Sequence, residues 1–265
     1  MSEEGAIRIR TSGWSYAHWK GPFYPEKTRD SKLFEFYIRK FDTVQINNSF
    51  YHLPLRKTFE KWRASSPDSF VFAVKASRFI THTKRLKDCG PAVENFRERT
   101  LGLGEKIGPV LFQRPPALKI DPKRLNLFLQ ELPGALRYSF EFRNSSWFHP
   151  ETYSLLSEFN AAFCLYELNG KTSPLETTAD FIYIRLHGPG GKYQGRYSSE
   201  QLRSWSETFK HWTKESKDVF CYFDNDEKGF AAVNAMGLSP VHRAPRKPMS
   251  LERALQRFSR LKVIE

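Results

Sequence analysis

Short apolar runs recur along the chain, each followed by a polar loop and then by an amphipathic stretch. The runs are Ala6–Thr11, Thr43–Asn47, Phe70–Ala76, Pro109–Gln113, Arg137–Arg143, Ala161–Glu167, Phe181–His187 and Val219–Asp224. They are nearly continuous in β-branched, aromatic and aliphatic residues, the signature of strands buried on both faces. Helical spacing follows most of them. Ser31 is placed to cap a helix through Lys40, with Phe34, Tyr37, Ile38 and Phe41 on one face. Further helices are predicted over Pro91–Glu105, Pro122–Leu132, Pro150–Phe159, Ser198–Lys214, Lys228–Met236 and Leu251–Leu261. The stripe Leu202, Trp205, Phe209 and Trp212 reads as core packing. The segment between Glu167 and Phe181 leaves room for little or no helix.

Alternating strands and helices predict a parallel sheet with right-handed crossovers. Eight such units in 265 residues predict a closed, somewhat irregular (β/α)8 barrel, which takes about 250 residues. The barrel is expected over residues 1–240, with a basic tail and helix, 241–265, packing on it. A doubly wound open sheet is the alternative, but no GxGxxG follows an early strand.

In such a barrel the site lies at the C-terminal ends of the strands. Strand alternation puts residues two apart on one side. Glu141 therefore shares a face with Arg143, Arg185 with His187, and Gln45 with Asn47, while Phe142, Leu186 and Ile46 face the helices. Charged residues pointing into a barrel must be paired or solvated, so a polar pocket at the rim is implied. The expected ligand-binding residues are Trp14, Gln45, Asn47, Tyr51, Lys75, His82, Gln113, Arg143, Trp147, Arg185, Tyr193 and Asn225. The expected catalytic residues are Glu141, His187 and Asp226. The plainer alternative is a salt-bridge network of Lys75, Glu141 and Arg185 that only sets the register of the barrel. The loop GPGGKYQGRY after His187 is expected to be flexible and able to close over a ligand.

Charge narrows the partner. The 42 Lys and Arg residues outnumber the 29 Asp and Glu, a formal net charge of +13. Such a surplus steers anions toward the protein. Lys75, Arg143 and Arg185, with His82 and His187, are donors suited to phosphate or carboxylate. Glu141 as base and His187 as acid would complete an enzyme acting on a phosphate-bearing or other anionic molecule, nucleotide or nucleic acid included. Two further readings use the same sequence. Basic segments such as KTFEKWRAS, THTKRLK and HRAPRKP could bind nucleic acid without catalysis, although no helix-turn-helix, zinc-finger, RRM or KH signature is present. Glu141, Glu167, His187, Asp224 and Asp226 could hold a divalent metal, as in barrels of the endonuclease IV or xylose isomerase type. No HxH or HExxH spacing supports this, and the nearby cations oppose it, so no cofactor is expected. Glycoside hydrolysis ranks third, because Arg143 would lower the pKa of Glu141.

Cys89, Cys164 and Cys221 form no CxxC pair, and the odd count argues against a disulfide framework. A reducing cytosol fits best. The start MSEEGAIRIR is not signal-like, and no apolar stretch is long enough to span a membrane, so a cytoplasmic protein with no membrane partner is expected.

Seven segments carry a resemblance: TSGWSYAHWKGPFYP, FDTVQINNSFYHLP, FVFAVKASRFITH, GPVLFQRPP, FEFRNSSWF, FIYIRLHGPGGKYQGRYS and CYFDNDEKGFAAVNA. They extend from Thr11 to Ala235, and together the chain resembles the YecE-like proteins, the domain of unknown function seventy-two. The resemblance implies a TIM barrel with a polar cavity at its strand ends. Two positions depart from the family's pattern, Gln45 in place of glutamate and Asp224 in place of asparagine. The first removes a carboxylate from the expected site, and the second returns a negative charge to it.

Overall fold

The computed structural model describes residues 4–238. Eight parallel strands form the barrel: β1 (Ile7–Thr11), β2 (Thr43–Ile46), β3 (Val71–Lys75), β4 (Ile107–Gln113), β5 (Tyr138–Glu141), β6 (Ala162–Leu168), β7 (Phe181–Leu186) and β8 (Asp218–Phe223). They are hydrogen-bonded in the order β1-β8-β7-β6-β5-β4-β3-β2. The ring closes between β1 and β2, where Ser12 bridges Gln45 and the Gly13 amide donates to the Gln45 carbonyl at 2.9 Å. Closure rules out the doubly wound open sheet.

The alternation expected within each strand divides the core in two. Val71, Ala73, Leu111, Ala162, Cys164, Phe181, Tyr183, Phe220 and Tyr222 fill the barrel. Ile46, Phe142 and Leu186 join the second layer, between the strands and the helices. The N-terminal mouth is closed by ion pairs. Asp42 takes Arg10 at 2.6 Å and Arg8 at 3.4 Å, and Asp218 takes Arg137 at 2.7 Å.

Helices α1 (Leu33–Lys40), α2 (Asn48–Tyr51), α3 (Arg56–Ala64), α4 (Gly90–Thr100), α5 (Pro122–Glu131), α6 (Pro150–Glu158), α7 (Ser199–Lys214) and α8 (Phe230–Leu238) surround the strands. Their starts carry local signals. The Asp121 side chain accepts from the Arg124 amide at 2.9 Å, with Pro122 opening α5. Ser198 and Gln201 form a reciprocal capping box on α7. Trp205, Phe209 and Trp212 pack along one side of α7, as core residues should.

The structure refines several boundaries. The predicted Pro91–Glu105 helix ends at Thr100 and continues as a 3-10 segment (Leu101–Lys106). Helix α3 was not among the predicted elements. No helix separates β6 from β7. A two-residue strand, Lys171–Thr172, instead folds back antiparallel on the end of β6. The expected helix over 251–261 and the tail over 241–265 lie outside the described residues. Among those described, no helix is long and apolar enough to cross a membrane.

The loop after β7 is tied down at several points. Gly188 has φ +115°, and a Cβ there would lie 2.1 Å from the Gln194 carbonyl oxygen. Its amide donates to the Tyr197 hydroxyl oxygen at 3.1 Å. Asn225 donates to the Gly195 carbonyl at 2.8 Å, and the Gly195 amide donates to Glu227 at 3.2 Å. The loop therefore has an anchored base, in contrast to the freely closing segment expected. Gly188→Ala combines a positive φ with a backbone clash. It should cost roughly 1–3 kcal/mol and lower Tm by several degrees in a thermal melt.

Candidate active site

The C-terminal mouth collects charge from strands on several sides of the barrel. Glu141 ends β5 and is fully buried. Its Oε1 accepts from Arg143 Nε, and its Oε2 accepts from Arg185 Nη1 at 2.9 Å. Arg185, on β7, gives its other terminal nitrogen, Nη2, to Asp224 Oδ2 at 2.8 Å. His187 completes the ring. Its Nδ1 lies 3.0 Å from the same Asp224 oxygen, and its Nε2 lies 2.8 Å from Arg143 Nη2. A guanidinium can only donate, so His187 Nε2 accepts and Nδ1 carries the proton toward Asp224. The Arg143 guanidinium also lies over the Tyr166 ring, 4.8 Å from its centroid.

Protonation follows from these contacts. Burial alone would push the Glu141 carboxyl up, but Arg143 and Arg185 outweigh it and hold the group well below the usual carboxylate range. Asp224 is likewise brought down to about 2, with Arg185 and then His187 overcoming burial. Burial, and then the Arg185 charge, lower His187 to about 4, so its ring is neutral at pH 7. Lys75 differs. It ends β3, points inward with Val71 and Ala73, and is pushed down to about 7 by burial and then by Arg185. Its ammonium lies 4.2 Å from the centre of the Phe50 ring.

These positions sort the expected site residues. Glu141, Arg143, Arg185 and His187 come together as one network, with Lys75 facing it electrostatically. The expected Glu141 base and His187 acid meet a fixed network here. The carboxylate is held ionised by two guanidiniums, and both imidazole nitrogens are engaged. Gln113 ends β4, beside Glu141 in register. His82 stands on the edge of the Phe50 ring that carries Lys75, its Nδ1 2.8 Å from the Thr81 hydroxyl. Tyr193, at the tip of the β7 loop, lies edge-on to His187 with ring centres 5.4 Å apart. Gln45 is buried. Its Oε1 accepts from the Tyr183 hydroxyl at 2.8 Å, and its Nε2 donates to Asn47. The amide at this position thus spans two neutral partners.

Others lie elsewhere. Trp147 is buried outside the barrel, stacked on the outward-facing Phe142 with ring centres 4.5 Å apart. Trp14 packs on Phe34 of α1 and Trp62 of α3. Tyr51 projects into solvent. Asn225 donates to Asn234 at 2.9 Å as well as to Gly195, so it joins the β7 loop to α8. Asp226 accepts from Trp19 Nε1 at 2.5 Å and pairs with His18 at 3.3 Å. It fastens the loop after β8 to the loop after β1, and burial raises its carboxyl to about 6. Glu167 faces outward, where Trp205 Nε1 donates to it at 3.4 Å. Tyr166 was not in the expected set, and Asp224 stood there only as a candidate metal ligand and a compensating charge. Both were open to strand counting, Tyr166 as the inward neighbour of Cys164 and Asp224 as that of Tyr222.

The His187 environment makes stability pH-dependent. An imidazole near 4 when folded and near 6.5 when unfolded leaves the unfolded chain holding more protons in between. Stability should therefore fall as pH drops from about 6.5 to about 4. His187→Asn should reduce that fall by roughly 1–3 kcal/mol in urea denaturation at a series of pH values.

Similar proteins share this barrel. The family model described as protein of unknown function DUF72 matches residues 8–257. The UPF0759 protein YunF of Bacillus subtilis is 29% identical over 263 residues, covering 86% of this chain and 92% of that protein. The UPF0759 protein YecE of Escherichia coli K12 is 32% identical over 117 residues, 43% of this chain and 42% of that protein. The crystal structure of a DUF72 family protein from Thermotoga maritima superposes with a TM-score of 0.81 at 28% identity, covering 89% of this chain and 98% of that one. One from Enterococcus faecalis gives 0.71 at 19% identity, over 91% and 98%, a likeness of fold alone. With the model match covering nearly the whole chain and the barrel shared with these structures, the chain belongs to the DUF72 family.

Proposed function

We propose that the C-terminal mouth is the substrate site of an enzyme acting on an anionic molecule bearing a phosphate or carboxylate, nucleotides included. This reading is supported by a mismatch of charge at the mouth. Three cations, Lys75, Arg143 and Arg185, face two carboxylates, Glu141 and Asp224. Arg185 spends both terminal nitrogens on the carboxylates. Arg143 spends Nε and Nη2 within the network, and its Nη1 has no partner among the described residues. That nitrogen, with the Lys75 side chain, supplies donors for an incoming anion. The +13 surplus would steer the ligand to the mouth.

The donor set favours an anion over a cation. Both oxygens of Glu141 and one of Asp224 already accept from guanidinium groups, which a divalent metal would have to displace. Among the described residues no three His, Cys, Asp or Glu side chains are grouped as a metal site.

Phosphate and glycerol 3-phosphate should raise Tm in a thermal-shift titration. Losing one charge-assisted contact through Arg143→Met should weaken binding roughly 10- to 100-fold. Equal shifts in wild type and variant would overturn the reading. Binding that ignores Arg143 and falls steeply with salt would point instead to nucleic-acid contact by the outer basic surface.

A further inference from the structure

Among the described residues Lys75 is the one inward-facing cation of the mouth that the network leaves out. It ends β3, and its backbone carbonyl accepts from the Ser49 hydroxyl at 2.6 Å, which pins the strand end to α2. Only 8% of the residue is exposed. Among the described residues its Nζ makes no hydrogen bond and no ion pair, although Glu141 and Asp224 bear on it electrostatically. The reason is competition. The Glu141 oxygens are held by Arg143 and Arg185, and Asp224 Oδ2 by Arg185 and His187. Across from Lys75 the same guanidiniums present positive charge, and His82 beside it has its own Nδ1 engaged by Thr81.

An ammonium carries three donors and needs acceptors when buried. Here it finds only the face of Phe50. A neutral amine asks for much less, and the resulting depression to about 7 leaves a large unprotonated fraction at neutral pH. An unprotonated lysine at the end of a barrel strand is a nucleophile toward carbonyl carbon.

We propose that Lys75 forms a Schiff base with an aldehyde or ketone whose anionic group is held at Arg143. The inference rests on the reading of the mouth as an anionic-substrate site. The Nζ lone pair forms the new C–N bond while the carbonyl π pair moves to oxygen. A proton passes from nitrogen to that oxygen, giving a carbinolamine. The C–O bond then breaks, and oxygen leaves as water with the second nitrogen-borne proton, giving C=N. No oxidant or reductant is consumed.

The test is reductive trapping on the wild-type full chain. D-Glyceraldehyde 3-phosphate is added with sodium borohydride, which fixes any imine as a secondary amine, and adducts are located by peptide mass mapping. The proposal expects Lys75 to be modified at pH 7 at least roughly tenfold faster than any other lysine, because surface amines are almost fully protonated there. The rate should rise with pH to a midpoint near 7, and Lys75→Arg should remove the adduct. Labelling of Lys75 no faster than surface lysines would overturn the proposal. If glycerol 3-phosphate still shifted Tm in that case, the anion site would stand without the Schiff base. If uncharged glyceraldehyde trapped Lys75 as fast as its phosphate, and Arg143→Met changed neither rate, the amine chemistry would stand and the anion anchor would fall.

Discussion

Two carboxylates at the barrel mouth, Glu141 buried and Asp224 partly buried, have to be neutralised, and the way this happens sets the character of everything around them. Glu141 is shared between Arg143 and Arg185, and Arg185 also pairs with Asp224. A buried charge left unpaired is strongly destabilising, so each of these contacts constrains the strands that bear them. Arg185 bridges the end of β5 to the loop after β8, and His187 repeats the second link from the same strand. The network therefore fixes the relative position of three strand ends. It also engages both Glu141 oxygens and Asp224 Oδ2.

The consequences spread outward. Among the described residues Lys75 is left with the face of Phe50, Arg143 Nη1 has no partner, and His187 is held as a neutral tautomer beside Tyr193. Glu141 becomes a fixed charge. In this arrangement both Glu141 oxygens and both His187 ring nitrogens are engaged within the network, while the Lys75 amine is not. The salt bridges expected between Glu141 and Arg185 as a purely structural alternative are present, while Lys75 makes no ion pair in them among the described residues.

Much of this was legible in strand alternation. Counting by twos within β5 and β7 separates Glu141, Arg143, Arg185 and His187 from Phe142 and Leu186, because a parallel strand holds its period as long as its ladder lasts. The same count reaches Tyr166 and Asp224, whose place in the network comes from facing the barrel interior. It fails once the ladder ends. Trp147 follows a 3-10 turn, Ser145–Trp147, that returns its indole to Phe142 on the outer side. Asp226 precedes Lys228, whose φ of 54° turns the chain, and the carboxylate meets Trp19 instead of the network. Which cation pairs with which carboxylate was beyond strand counting, because it depends on distances across the mouth between strands far apart in sequence.

The network withholds acceptors from Lys75, and direct titration of that amine tests this. In protein carrying 13C-labelled lysine, the Lys75 side-chain resonance, assigned by comparison with Lys75→Arg, should follow pH with a midpoint near 7. A midpoint near the ordinary lysine value of about 10.4 would show a fully stabilised ammonium and contradict the account.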